Sequence, residues 1–210
     1  GWQLPNLLTS SHMFRGCNSA TFIDVSGWYT PSLTSMDGMF HTCKALTEVD
    51  LSSFDTSNCT ELSQIFDHAT GIKRVKGLEK WDTSNCRTFE ETFAGCSALE
   101  ELDLSSFNTR NVENAFYPMQ NGSTGWGFRN MFSSMSNKSL KKLVIGADFS
   151  FDGDGKVTDA DNKVTLPNPG PIDGQATKWY NEANDTYYDA SEIPEEIAAV
   201  YVAKVPPVNP

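Results

Sequence analysis

Five cysteines, three histidines and one acidic loop are the parts of this 210-residue chain whose types and spacing admit chemistry. Cys17, Cys43 and Cys96 each close the same short signature, while Cys59 and Cys86 both follow an Asp-Thr-Ser-Asn run. An odd count leaves at least one thiol without an intramolecular partner. Cys17/Cys43 and Cys59/Cys86 recur one period apart, within reach of a disulfide, but cysteine also packs as a small apolar residue and free buried thiols are the favoured reading. No Cys-x-x-Cys or clustered Cys/His pair supplies a metal site, so no metal ligands are assigned. His12, His41 and His68 recur beside the same signature with no nucleophile motif near them, which leaves no catalytic residue to name.

Asp152 to Asp161 has the outline of a calcium loop: acids at Asp152 and Asp154, Gly155 at the turn, Val157, then Asp161. Ser150 holds the first position, where Asp is expected, and Lys163-Val164-Thr165-Leu166-Pro167 cannot continue as a helix. An Asp-Gly turn is therefore favoured over calcium, and no cofactor is expected.

The remaining candidates are aromatic. Between Asn111 and Phe132 the chain carries about thirteen residues more than the corresponding stretch Asn58–Phe66, and Phe116, Tyr117, Trp126, Phe128 and Arg129 lie in or beside them. Aromatic rings with arginine are the composition of interface hot spots, and long loops on rigid scaffolds collect binding residues. These five are the candidate partner-binding residues; the competing reading folds the loop back over its own core.

The elements that must position these residues are repeated. Met13-Phe14-Arg15-Gly16-Cys17, Met39-Phe40-His41-Thr42-Cys43, Ile65-Phe66-Asp67-His68-Ala69, Thr92-Phe93-Ala94-Gly95-Cys96 and Met131-Phe132-Ser133-Ser134-Met135 place phenylalanine at 14, 40, 66, 93 and 132. Leu46-x-x-Val49-Asp50-Leu51 and Leu99-x-x-Leu102-Asp103-Leu104 alternate like short strands, and the Asp-Thr-Ser-Asn runs after them are turn chemistry. Such a period predicts a repeat or solenoid architecture. The expected form is a right-handed, leucine-rich-repeat-like stack with one short parallel strand per ~26-residue repeat. It would span residues 1–146, with an insertion near 114–128, a C-terminal β-rich cap over 147–203 and a Pro-rich linker over 204–210. Outward strand residues Glu48, Arg74, Glu101 and Lys142 would alternate in sign along it.

The period, the Met-Phe-x-x-Cys signature and the Asp50–Asn58 and Asp103–Asn111 segments resemble the bacterial surface-protein 26-residue repeat of BspA-like leucine-rich-repeat proteins. The resemblance covers residues 13–146 and continues into Leu166-Pro167-Asn168-Pro169, Lys178-Trp179-Tyr180 and Tyr188-Asp189-Ala190-Ser191-Glu192-Ile193-Pro194. It implies a secreted protein of the bacterial cell surface or wall, part of a longer chain, that adheres to or binds a host or microbial surface protein or glycan. It implies no catalytic residue.

Composition narrows the classes further. The net charge is −11, with 2 basic against 7 acidic groups in residues 1–70 and 4 against 12 in residues 147–210. Such a chain repels nucleic-acid backbones and anionic membranes, and no apolar run is long enough to insert into a bilayer. The expected protein is a non-enzymatic, monomeric binding module. A passive stalk in a larger surface protein is the first alternative, and a glycan-directed hydrolase, needing only two well-placed carboxylates, the second.

Overall fold

The structure, a computed structural model, describes residues 2–114, 116–118, 124–135, 139–195 and 197–207; for 116–118 and 124–125 it describes the backbone alone. Among the described residues nine strands form: β1 (Glu48–Asp50), β2 (Arg74–Lys76), β3 (Glu101–Leu104), β4 (Phe116–Pro118), β5 (Thr124–Gly125), β6 (Lys142–Ile145), β7 (Lys178–Asn181), β8 (Thr186–Tyr188) and β9 (Ala199–Lys204).

Their arrangement overturns the expected right-handed leucine-rich-repeat-like solenoid. The strands lie in three separate small sheets: parallel β1–β2, antiparallel β4–β5, and a mixed five-stranded sheet in the order β3–β6–β9–β7–β8. The stretch Ile23-Asp24-Val25 forms no strand, and β2 and β3 belong to different sheets. Two causes are visible. Gly77 (φ 92°) follows β2 in the left-handed region and turns the chain away after three strand residues. On the far side β6 is bordered by antiparallel β9, so the largest sheet takes three of its five strands from the C-terminal segment. The sheet thus runs across position 146, where the sequence suggested the cap begins.

Within the strands, side chains alternate as the pleat requires. Val49, Leu102, Leu104, Leu143 and Ile145 point into the core while Glu48, Glu101 and Lys142 face solvent. Glu48 lies opposite Arg74, and Glu101 opposite Lys142. Arg74 reaches Glu101 at 3.3 Å, Lys76 reaches Glu48 at 2.5 Å and Lys73 reaches Glu100 at 3.5 Å. These exposed pairs fix register more than they stabilise.

Most contact between segments one period apart is made by turns. Each signature phenylalanine is flanked two residues away on both sides by left-handed residues: His12 and Gly16, Gly38 and Thr42, Gln64 and His68, Glu91 and Gly95, Asn130 and Ser134. Alternating the backbone hand sends every second N–H toward the next turn. His12 N donates to Asp37 O (2.8 Å), Phe14 N to Met39 O (2.9 Å) and Gly16 N to His41 O (2.9 Å), and the pattern recurs through Gly95 N to Ser133 O (2.8 Å). The intervening N–H groups close three-residue turns onto their own chain, such as Cys17 N to Phe14 O. The rings of Phe14, Phe40, Phe66, Phe93 and Phe132 pack face to face at 5.5–5.9 Å. Phe14, at the end of the row, is half-buried.

In the C-terminal segment Trp179 of β7 is fully enclosed, its indole N–H donating to Pro167 O at 2.9 Å, and Tyr201 of β9 is enclosed beside it. A capping box at Asp189 and Glu192 starts the short 3-10 turn Ala190–Glu192.

Candidate functional site

Within the insertion β4 and β5 pair antiparallel, Phe116 opposite Gly125, and the chain is again buried at Gly127. Gly127 (φ 57°) leaves no room for a side chain: a Cβ there would meet Glu113 O at 2.7 Å. Its carbonyl accepts from Phe89 N (2.8 Å) and Thr88 Oγ1 (3.2 Å), while Phe128 N donates to Asn162 O (3.1 Å). Phe128 is fully buried with its ring on Phe89 at 6.1 Å, so this candidate packs in the core and is not available to a partner. The side chains of Phe116 and Tyr117 lie outside the described residues.

Trp126 and Arg129 remain at the surface, both half-buried. The Arg129 guanidinium stands 5.1 Å from the centre of the Trp126 ring, a cation–π distance. Behind it, Nε of Arg129 donates to Glu90 Oε1 at 2.9 Å, and Nη2 donates to the same oxygen. Glu90 is almost completely buried; burial pushes its carboxyl up, and the arginine pulls it back down. The buried acid thus holds the arginine upright and the arginine holds the indole, which presents a preorganised aromatic edge beside a fixed cation. Glu90 is the residue the sequence reading missed. Its signal was present: Glu90 and Arg129 are separated by 39 residues, the same step that separates Phe93 from Phe132.

The histidines gather with acids. Asp67, buried, accepts from or pairs with His68 Nδ1 at 2.5 Å and stands 3.6 Å from His41 Nε2; His12 Nε2 stands 3.7 Å from buried Asp37. Burial pushes the His41 imidazole down, partly opposed by Asp67. No serine or cysteine nucleophile is hydrogen-bonded to these rings among the described residues.

All five thiols are free; Cys17 is exposed and the other four are buried. Cys43 donates to Phe14 O (3.1 Å), Cys59 to Leu33 O (3.4 Å) and Cys96 to Phe66 O (3.2 Å), so each thiol ties its turn to the preceding one. Burial pushes Cys43 up to about 11 and Cys86 up to about 12, which keeps both protonated and unreactive.

In the Asp152–Asp161 loop the carboxylates face protein donors. Asp152 takes Lys163 Nζ at 3.0 Å and Gly155 N at 2.9 Å, Asp154 takes Arg110 Nη1 at 3.0 Å, and Asp159 caps Asp161 N. Among the described residues no group of three or more His, Cys, Asp or Glu side chains is placed to hold a metal ion. Among the same residues no helix is long and apolar enough to cross a membrane.

No curated protein and no solved structure matches the chain. A family profile does, over residues 8–125, more than half the length and inclusive of four of the five phenylalanine turns. The turn geometry built on Phe14, Phe40, Phe66 and Phe93 is what that profile spans, and the chain belongs to the family described as "Mycoplasma protein of unknown function, DUF285".

Proposed function

We propose that the chain is a non-enzymatic binding module of the BspA-like kind, carried by a bacterial surface protein and displayed outside the cell to a protein or glycan partner. The observation that supports this reading best is the Trp126–Arg129–Glu90 arrangement. An indole and a guanidinium already held in place lose little freedom on binding, and that is how interface anchors gain affinity. Membership of the family supports the surface-repeat assignment without naming a partner. The non-enzymatic reading is supported by the pairing of the strand acids with Arg74, Lys76 and Lys73, and of Glu90 with Arg129, which leaves these carboxylates engaged with cations.

A passive-stalk reading is favoured by one specific observation, the burial of Phe128, because it removes one of the insertion's rings from the surface. The test separates the two. The wild-type chain and Trp126→Ala are applied to arrays of immobilised glycans and of host extracellular proteins. A ligand bound by the wild type and lost or weakened at least about tenfold by Trp126→Ala supports the binding module. Equal binding by both removes the insertion from consideration, and no binding by either favours the stalk.

A further inference from the structure

Apart from the ring row, the period also aligns polar side chains. Asn58, Asn85 and Asn111 hold the same place in segments one period apart. Each donates its Nδ2 to a carbonyl of the segment before: Pro31 at 3.2 Å, Ser57 at 2.8 Å and Ser84 at 2.6 Å. That bond fixes the plane of the amide and leaves Oδ1 on its other edge. Asn111 shows what the oxygen takes there, since it accepts from Lys156 Nζ at 3.1 Å. All three asparagines are exposed.

A second row lies beside the first. Met36 N donates to Glu61 O, Leu62 N to Thr88 O and Phe89 N to Gly127 O. The residues just before those three carbonyls, Thr60, Arg87 and Trp126, therefore hold equivalent places. Glu113 reaches the same level, because its N–H donates to Arg87 O as Arg87 N donates to Thr60 O. It also touches the segment of Trp126: a Cβ on Gly127 would stand 2.7 Å from Glu113 O. Between the two rows runs a groove of about 420 Å³ lined by Asn58, Thr60, Asn85, Arg87, Asn111 and Glu113. Trp126 stands beside its Glu113 end.

Each of these lining side chains carries a hydrogen-bonding group, whereas the centre of a protein interface is apolar. Amide oxygens and a carboxylate accept, a guanidinium donates and a threonine hydroxyl does both, which complements a ligand dense in hydroxyl groups. Paired segments lie about 4.8 Å apart, so the amide oxygens recur at about the rise of one sugar residue in an extended chain. The two charged side chains of the groove are of opposite sign, and a net charge of −11 repels sulfated or uronic-acid glycans. We propose that the groove binds a neutral, linear oligosaccharide of about three residues. Its hydroxyls meet Asn58, Thr60 and Asn85, and its last ring packs a C–H face on the indole of Trp126. The proposal rests on the binding-module reading and narrows its partner to a glycan.

The test titrates the isotope-labelled chain with linear trisaccharides and tetrasaccharides of glucose, mannose, galactose and N-acetylglucosamine, read by nitrogen–proton magnetic resonance. At least one sugar should shift the side-chain amide signals of Asn58 and Asn85 together with the indole signal of Trp126. Thr60→Val keeps the shape and removes the hydroxyl; it should weaken that sugar about three- to tenfold. Trp126→Ala should weaken it at least about tenfold, and both variants should keep the wild-type circular-dichroism melt. No shift with any of these sugars overturns the proposal. So does a sugar that moves the indole signal alone, or one whose affinity Thr60→Val leaves unchanged, since neither contact uses the groove. A host protein bound by the wild type and lost in Trp126→Ala, with no sugar moving the asparagine signals, overturns the glycan and keeps the binding module. A chain that binds neither class overturns both.

Discussion

The imidazole of His41 is largely enclosed, and burial holds its pKa below the ordinary 6.5 despite the nearby Asp67 carboxylate. The unfolded chain therefore accepts a proton that the folded chain resists. Stability is full above about pH 6.5 and declines as the pH falls toward the folded value. Thermal melts from pH 8 to pH 5 should show this loss, and His41→Gln should flatten it; parallel curves for both proteins would place the acid sensitivity elsewhere. A second residue-scale outcome concerns the thiols. With Cys17 exposed and four cysteines buried, a thiol reagent should titrate one equivalent promptly in the native protein and five after denaturation. A third concerns Thr42, a β-branched residue at φ 59° where the corresponding positions hold Gly16 and Gly95. Relief of left-handed strain, roughly 1–2 kcal/mol, exceeds the entropy cost of glycine, so Thr42→Gly should raise the melting temperature slightly. A clear drop would show that the Thr42 side chain contributes packing that offsets its strain.

At the scale of elements, the turns carry more of the molecule than the strands do. Phe66 sits in the middle of the ring row, with Phe40 at 5.6 Å and Phe93 at 5.9 Å. Phe66→Ala should cost about 3–5 kcal/mol, measurable as a lowered denaturant midpoint. By contrast Glu101→Gln removes only the exposed contact to Arg74 and should cost less than about 1 kcal/mol. If the two substitutions cost the same, the strand face and not the ring row would be the main support. Gly77 marks where the β1–β2 sheet stops: a Cβ there would lie 2.3 Å from Ser52 N, so Gly77→Ala should destabilise by about 1–3 kcal/mol through backbone displacement.

At the scale of the whole molecule, the C-terminal segment completes a sheet and does not merely trail from it. Strand β9 borders β6 through four residue pairs and β7 borders β9 through three, with Trp179 and Tyr201 enclosed between them and the rest of the core. Truncation after residue 169 would strip β6 of its neighbour and expose Leu143 and Ile145 beside an open strand edge. The truncated chain should bind a hydrophobic dye and lose its sharp thermal transition. A cooperative melt with the wild-type midpoint would mean that the five-stranded sheet contributes nothing to the rest.

What the sequence determined by itself is periodic and local. The spacing of Phe14, Phe40, Phe66, Phe93 and Phe132 specified which rings would touch, because residues in equivalent places of a repeated unit share a neighbour. The Glu48/Arg74 and Glu101/Lys142 pairings followed from the same period. Three matters were left to tertiary structure. Whether short strands join into one sheet depends on where a chain turns away, and Gly77 together with the docking of β9 divided the sheets that the period alone suggested were continuous. Whether an aromatic in an insertion faces solvent depends on what lies beneath it: Phe89 received Phe128 while Trp126 stayed at the rim. And although the 39-residue step from Phe93 to Phe132 aligned Glu90 with Arg129, only the closed chain buried the carboxylate and brought the guanidinium onto it.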